Sequence, residues 1–381
     1  MRVRLRNPDR VEEVPGPATV AEVLAALDVN PTTVLVIHDG ELVTAGTELP
    51  ADAEVEIRPV MSGGAEARCF DCRGPAVIEE PRHRSAWCAA HFVEHVERQV
   101  RKAIDHRVDG ERMFSYGDRI LIAVSGGKDS LALWDVLLRL GYRVDGLYVG
   151  LGIGGYSNRS ERIVREFAAQ RIEPRGGVLH VVDLAEEYGY TTLSGSQATG
   201  RSTCGVCGLS KRYVFNKVAV DHGYDVMLTG HNLDDEAATL FGNLLRWQDD
   251  FLARQRPVLP ASGANQVRKC KPLYRLSERE MAAYCVVRGI DYVVEECPLV
   301  AGNTGMEHKD VLNEIERDAP GTKAQFLFGF LDRADRFDTE RAGPVELHAC
   351  GDCGMPTTGD TCAFCRQRAR ILPVLATEGS S

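Results

Sequence analysis

Between residues 119 and about 297 the chain alternates short, largely apolar runs with amphipathic ones, and this alternation constrains its fold more than any other feature. Ile120–Val124, Val144–Val149, Val178–Val182 and Val226–Thr229 read as strands, and helical patterns follow at 129–140, 160–170, 208–221 and 234–246. Apolar strands separated by helices predict βαβ units, hence an α/β core with a parallel sheet covered on both faces. Ligands of such sheets bind beyond the carboxyl ends of the strands, so the loops that follow the strands carry the chemistry.

Three of those loops are rich in glycine or carboxylate. Ser125-Gly126-Gly127-Lys128-Asp129-Ser130 follows the first strand and opens a helix. Small residues let backbone N–H groups close around phosphate, and the helix start adds the favourable end of its dipole. The spacing does not fit the Walker A loop. Gly150-Leu-Gly152-Ile-Gly154-Gly155 matches the dinucleotide fingerprint only formally, and its glycines are expected to let the backbone approach the adenosine of ATP. Gly230-His231-Asn232-Leu-Asp234-Asp235-Glu236 opens a further helix. Its carboxylates either cap that helix or place Mg²⁺ on nucleotide phosphates, since Mg²⁺ prefers oxygen ligands.

Twelve cysteines fall mostly into pairs three residues apart, a spacing that suits metal ligands in a reducing compartment better than disulfides. Cys69, Cys72, Cys88 and His91 form one four-ligand set, and Cys350, Cys353, Cys362 and Cys365 another, each suited to closed, structural zinc. Cys204 and Cys207, with Lys211 one turn on and Cys297 far downstream, leave a three-thiolate set. Three thiolates suit a [4Fe–4S] cluster with one iron open, and a redox dithiol at a helix start is the rival reading. Cys270 and Cys285 fit no spacing and read as small buried residues.

Residues 1–64 order as strand, helix, strand, turn and strand, a small β-grasp unit ending in Gly63-Gly64. A module with the first cysteine set occupies 65–108, including a polar, basic helix at about 92–108. The α/β core is expected at 109–340, and the second cysteine set with a tail at 341–381. The whole chain carries 45 basic and 55 acidic residues, a net charge of −10, which by itself argues against nucleic acid. Five basic and eleven acidic residues of that total lie in 1–64, so the remainder is nearly balanced. Basic residues without acids run through 188–220 and 251–277, where they could track a phosphate backbone. No apolar run approaches the length of a membrane span and Met1–Arg6 is not a signal-peptide core, so a soluble, cytoplasmic protein is expected.

In the order cysteine module, Ser125–Ser130, Gly150–Gly154, Cys204–Cys207, Gly230–Asp235, Lys271-Pro-Leu273, Glu296-Cys297-Pro298, cysteine module, the chain resembles the tRNA 2-thiolation enzymes of the PP-loop ATP pyrophosphatases, the group with two zinc fingers. Residues 1–64 resemble the ubiquitin-like sulfur carriers, whose terminal Gly-Gly becomes a thiocarboxylate. The resemblance implies a Rossmann-like core flanked by two zinc fingers, with ATP contacts at Ala123, Ser125, Gly126, Gly127, Lys128, Asp129, Ser130, Gly150, Gly230 and Asp235. It implies catalytic roles for Asp129, Lys211, Asp235, Cys204 and Cys297, with Cys204, Cys207 and Cys297 as cluster ligands. ATP, Mg²⁺, one [4Fe–4S] cluster and two Zn²⁺ are the implied cofactors. tRNA, the sulfur carrier and its activating enzyme are the implied partners, and a homodimer is left open. The implied reaction is adenylation of a uridine C2 oxygen followed by sulfur transfer, foremost at ribothymidine 54 of tRNA. Wobble uridine 34 or cytidine 32 are the alternative targets, and a non-catalytic RNA-binding or docking protein is the rival of another class. A carrier fused to its enzyme needs a free carboxylate, so cleavage after Gly64 is expected, the alternative being that residues 1–64 have lost sulfur carriage and only dock on their own enzyme.

Overall fold

The structure, a computed structural model, describes residues 1–6, 9–29, 31, 34–59, 68–106, 112–261, 263, 265–300, 304–337 and 347–378. The three expected boundaries at 64/65, 108/109 and 340/341 lie outside the described residues, as do Gly63 and Gly64.

The N-terminal unit consists of β1 (Arg2–Leu5), β2 (Arg10–Glu13), β3 (Ala18–Thr19), α1 (Val20–Ala26), β4 (Val34–His38), β5 (Glu41–Val43), β6 (Glu48–Leu49) and β7 (Glu54–Pro59). Five strands order as β2-β1-β7-β4-β5, with β1 parallel to β7 and the other pairs antiparallel, which is a β-grasp sheet. Thr19 caps α1 in a reciprocal box with Glu22, and Val20, Val23 and Leu24 pack the helix onto Val3, Val34, Val36, Val55 and Ile57. Val34 to Ile37 are all buried because β4 is covered on both faces. Leu35, Ile37 and Leu42 turn away from α1 and join the apolar cluster of the main body, where the helix Glu278–Val287 faces β5.

The first cysteine module is a hairpin of β8 (Ile78–Glu80) and β9 (Ser85–Trp87) leading into α2 (Ala89–Asp105). The sequence suggested a polar, basic helix there. Instead Phe92, Val93, Val96, Val100, Ala103 and Ile104 form an apolar stripe at helical spacing and are buried.

The core follows as β10 (Ile120–Ala123), α3 (Lys128–Arg139), β11 (Val144–Gly150), α4 (Gly154–Phe167), β12 (Leu179–Asp183), α5 (Leu184–Tyr188), α6 (Thr192–Thr199), α7 (Thr203–Asp221), β13 (Val226–Leu228), α8 (Leu233–Leu245), α9 (Asp249–Leu252), β14 (Val258–Leu259), β15 (Arg268–Cys270) and α10 (Glu278–Val287). The sheet orders as β12-β11-β10-β13-β15-β14, parallel throughout except for the antiparallel edge strand β14. Chain order runs outward from β10 through β11 and β12, then resumes at β13 on its other side. The crevice between the ends of β10 and β13 is therefore the topological switch point, where open α/β sheets bind ligands.

β15 lies inside the basic run at 251–277, which therefore is not a uniform outer face. Lys271 pairs with Glu236 at 2.7 Å, Arg256 lies 3.3 Å from Asp335, and Arg275 stacks over Phe328. The run at 188–220 also finds an acid one residue past its end, where Lys217 pairs with Asp221. Helices α11 (Thr304–Asp318) and α12 (Thr322–Leu331) pack on α8. The second cysteine module, with β16 (His348–Ala349), β17 (Pro356–Thr357) and α13 (Ala363–Glu378), packs on α6 and α7, where Phe364 stacks on Tyr213 at 3.7 Å.

Candidate active site

At the end of β10 the chain turns through Ser125, Gly126 and Gly127 into α3. The Ser125 N–H donates to Ser130 Oγ at 3.2 Å, and Ser130 Oγ donates back to the Gly127 carbonyl at 3.1 Å, so the loop is closed on itself. Gly126 has φ +79, and a Cβ there would stand 2.9 Å from the Ser160 carbonyl oxygen, so both conformation and space demand glycine. Val293 N–H donates to the Gly126 carbonyl at 2.9 Å, pinning the loop to the strap after α10. Across the crevice, a Cβ at Gly230 would stand 2.9 Å from Ser130 N. Ala123 ends β10 and Gly150 ends β11 on the same edge. Beside Gly150 and Gly152 the space goes to Asp183 Oδ2 and the Thr191 side chain, at 2.9 and 2.4 Å from where their Cβ atoms would be. Neighbouring side chains, rather than open space for adenosine, thus crowd these two glycines.

The charged groups of the crevice form a closed ring. Asp235 Oδ1 lies 2.6 Å from Lys309 Nζ, and Lys309 lies 3.0 Å from Glu278 Oε2. Glu278 Oε1 lies 2.6 Å from Lys128 Nζ, and Lys128 lies 3.5 Å from Asp129 Oδ2. Asn232 completes the circuit: its Nδ2 donates to Asp129 at 2.9 Å, while its Oδ1 accepts from the Asp235 N–H at 3.1 Å. Asp235 returns a carboxylate oxygen to the Asn232 N–H at 3.1 Å, so it caps α8 and pairs with a lysine at once. Asp234 turns inward, accepting from Lys323 Nζ at 2.5 Å and from the Glu278 N–H at 2.8 Å.

Burial opposes Lys128's charge, yet Asp129 and Glu278 outweigh it and hold the ammonium above the ordinary lysine range. Burial likewise opposes Glu278's charge, and Lys128 and Lys309 overcome it. Asp129 is pushed up to about 6, first by burial, with Lys128 pulling the other way and Glu278 and Asp235 adding to the rise. Three carboxylates against two lysines leave one negative charge in excess, a donor set that suits a hard dication. His231 is exposed, and its Nδ1 lies 2.8 Å from Thr229 Oγ1.

The first three turns of α7 carry Cys204, Cys207 and Lys211 in succession. Ser202 caps this helix through the Gly205 N–H at 3.2 Å, and Thr203 Oγ1 donates to the Leu299 carbonyl at 3.2 Å, tying the helix start to the segment of Cys297. Burial raises the Cys207 thiol, Lys211 opposes that rise, and Cys297 and Cys204 reinforce it. Tyr156 of α4 is raised by burial, next by Cys297 and further by Cys207, so these two cysteines lie near α4. Among the described residues the three sulfurs do not close to within 4.8 Å of one another, as a single ion would require. That wider spread suits a polynuclear cluster.

Both terminal sets do close within 4.8 Å. Cys72 and Cys88 sulfurs are 3.9 Å apart, Cys353 and Cys362 are 3.8 Å apart, and His91 Nδ1 lies 3.2 Å from Cys69 Sγ and 3.3 Å from Cys88 Sγ. Two thiolates bound to a tetrahedral zinc stand about 3.8 Å apart, so these sets have the right size for it. Backbone N–H groups around Cys69 overcome its burial and bring the thiol down to about 6. Cys270 and Cys285 are buried, as expected, and donate to the carbonyls of Met113 and Lys128 at 3.4 Å each.

The profile of the PP-loop domain family matches residues 92–298, and that of the ThiS family matches residues 2–64. Over 299 residues the chain is 48% identical to a tRNA-5-methyluridine(54) 2-sulfurtransferase of Thermus thermophilus, spanning 78% of this chain and 90% of that protein. The chain belongs to the PP-loop tRNA 2-sulfurtransferase family. This PP-loop protein is also 42% identical to the tRNA-5-methyluridine(54) 2-sulfurtransferase of Pyrococcus horikoshii, covering 78% of this chain and 93% of the relative. Among solved structures, the U34-tRNA thiolase NcsA from Methanococcus maripaludis with its [4Fe-4S] cluster superposes with a TM-score of 0.63 at 21% identity, covering 79% of this chain and 95% of that one. That likeness establishes the shared fold.

Sequence reasoning did not single out Asn232's bridging role, Glu278, Lys309 or Lys323 in this PP-loop site. A local signal existed for Glu278: Ser277-x-x-Glu280 is a capping box that marks the start of α10. Lys309 and Lys323 carry no such mark.

Proposed function

We infer that this chain is an ATP-dependent tRNA-uridine 2-sulfurtransferase acting on 5-methyluridine 54. One observation carries the reading: the 48% identity over 90% of the Thermus enzyme, with the phosphate loop and the Cys204–Lys211 helix opening on one edge of one sheet. Position 54 is favoured because the relatives at 48% and 42% identity are both named for 5-methyluridine 54.

The residues divide the work. Loop N–H groups of 125–127 and Lys128 receive the β and γ phosphates, with Ala123, Ser130 and Gly230 lining the nucleotide. Asp129 and Asp235 would hold Mg²⁺, which neutralises phosphate charge. The uridine C2 oxygen attacks the α phosphorus and pyrophosphate leaves, so a poor leaving group becomes AMP. Cys204, Cys207 and Cys297 would hold a [4Fe–4S] cluster, which supplies an open iron for sulfide. Sulfur then bonds to C2, and AMP departs with the original oxygen. Lys211, one turn beyond Cys207, would stabilise the negative charge that develops on C2 substituents and AMP. The terminal sets would each hold a structural zinc, giving order to modules with little core of their own. The β-grasp unit is the sulfur-carrier domain, and tRNA is the substrate.

Anaerobically purified protein given ATP, Mg²⁺, tRNA and a sulfide source should release AMP and yield 2-thio-5-methyluridine on nucleoside mass spectrometry. Thiolation confined to another nucleotide, or no thiolated product, would overturn the assignment.

A further inference from the structure

We propose that the N-terminal cysteine module positions the phosphate loop: Arg82 and His95 hold Glu280, and so fix the first turn of α10, whose Glu278 carries Lys128 and Lys309. This rests on the reading of residues 125–130 as an ATP loop.

Arg82 lies in the turn between β8 and β9. Its Nη2 donates to Glu280 Oε2 at 2.6 Å and to the Arg275 carbonyl at 3.0 Å, just before α10. His95, from α2, lies 3.0 Å from the other oxygen, Glu280 Oε1. In return Arg279, the neighbour of Glu280 on α10, donates to the Glu79 carbonyl of β8. Two cross-links of opposite direction therefore join hairpin and helix. Glu280 is fully buried, and it also accepts from the N–H and Oγ of Ser277, the cap of α10, at 2.7 and 2.9 Å. A carboxylate bound by a cap, an arginine and a histidine cannot shift without stranding all three.

Glu278 is the first residue of the same helix, two positions before Glu280. Its carboxylate reaches Lys128 of the phosphate loop at 2.6 Å and Lys309 at 3.0 Å, and its N–H donates to Asp234 beside Asp235. Displacing the α10 start thus displaces both lysines of the charged ring. His83, His95 and Glu280 also lie close enough to hold a metal ion. The guanidinium of Arg82 on Glu280 already supplies the cation there, so positioning accounts for the cluster better than metal binding does. Arg82 and His95 touch no phosphate ligand; they act through Glu280.

Full-length Arg82→Gln, Arg82→Lys and Glu280→Gln proteins test this, with the affinity for Mg·ATP measured by calorimetry beside melting temperature and zinc content. Arg82→Gln and Glu280→Gln should keep wild-type zinc and bind Mg·ATP about tenfold more weakly, the size of a typical coupling between linked sites. Arg82→Lys, which restores the charge, should recover most of the affinity. A purely structural module would lower the melting temperature and leave the affinity of the folded protein unchanged, and that result overturns the proposal. Should Arg82→Gln fail to fold, His95→Leu removes the hydrogen bond to Glu280 along with the ring's stacking on Trp87, and it should still weaken Mg·ATP by about threefold. Unchanged affinity there is equally fatal. Wild-type protein that binds no ATP would instead refute the nucleotide reading, and the proposal with it.

Discussion

The roles proposed for Asp129 and Lys211 belong to different moments of the reaction, and their loss should separate the two half-reactions. Asp129 belongs to the charged ring through Lys128 and Asn232. Asp129→Ala is expected to lower AMP release at least about 100-fold, the scale of losing one preorganised electrostatic contact. Lys211 stands beside Cys207. Lys211→Ala should retain ATP binding and lose thiolation, and full thiolation by that variant would discard its role. Cys297→Ala should abolish iron content and the cluster's visible absorption while metal analysis still counts two zincs, because the terminal sets share no ligand with it. The phosphate loop and both cysteine modules were legible in the sequence because their chemistry is spelled by residues a few positions apart. The ring was not. Glu278 is 150 positions from Lys128 and Lys309 is 31 from Glu278, and no local pattern encodes a pairing of that range.

At the scale of elements, α3 is held by a second buried network away from the nucleotide. Asp135 accepts from Arg171 at 2.7 Å, from Arg288 at 2.8 Å and from the Tyr284 hydroxyl at 2.9 Å, joining the phosphate-loop helix to α10 and to the chain after α4. Asp135→Asn should destabilise the fold by about 2–4 kcal/mol in denaturant titrations, below the full loss of a buried ion pair because both arginines reach solvent. Burial opposes the carboxylate's charge, and Arg288 and Arg171 overcome it, so the folded-state pKa is lowered. A lowered pKa gives stability that is complete above the unfolded value of about 3.9 and fades as pH falls through the folded one. The gap between wild type and Asp135→Asn should therefore hold at neutral pH and close below about pH 4. The parallel strands were legible as apolar runs, and their boundaries differ by a residue or two. β15 was not, since Arg268 and Lys269 disguise a strand paired with β13 as a basic surface. The buried stripe of α2 was read as polar because arginines interleave it.

For the whole molecule, the contact between the β-grasp unit and the main body bears on the proposed sulfur delivery. Leu35, Ile37 and Leu42 are buried in the cluster of the main body, and Arg58 Nη1 donates to Tyr292 OH at 3.4 Å, one residue before the strap that pins Gly126. Gly64 is bonded to Ala65, and an amide cannot be adenylated, so we expect cleavage after Gly64 in the native host. Intact mass spectrometry should reveal a fragment ending at Gly64, part of it heavier by the exchange of oxygen for sulfur. Exclusively full-length protein in cells that still thiolate their tRNA would eliminate cleavage. Only eight residues, 60–67, join β7 to the first cysteine module. A tether that short keeps the docked domain at an effective concentration on the order of millimolar, so a loaded carrier at micromolar concentration competes for the same face about a thousandfold less well. As long as the bond after Gly64 is intact, the occupant of that face holds no sulfur. On the expectation of cleavage after Gly64, the uncut chain would be a zymogen, held back by its own cargo domain until the cut sets it free.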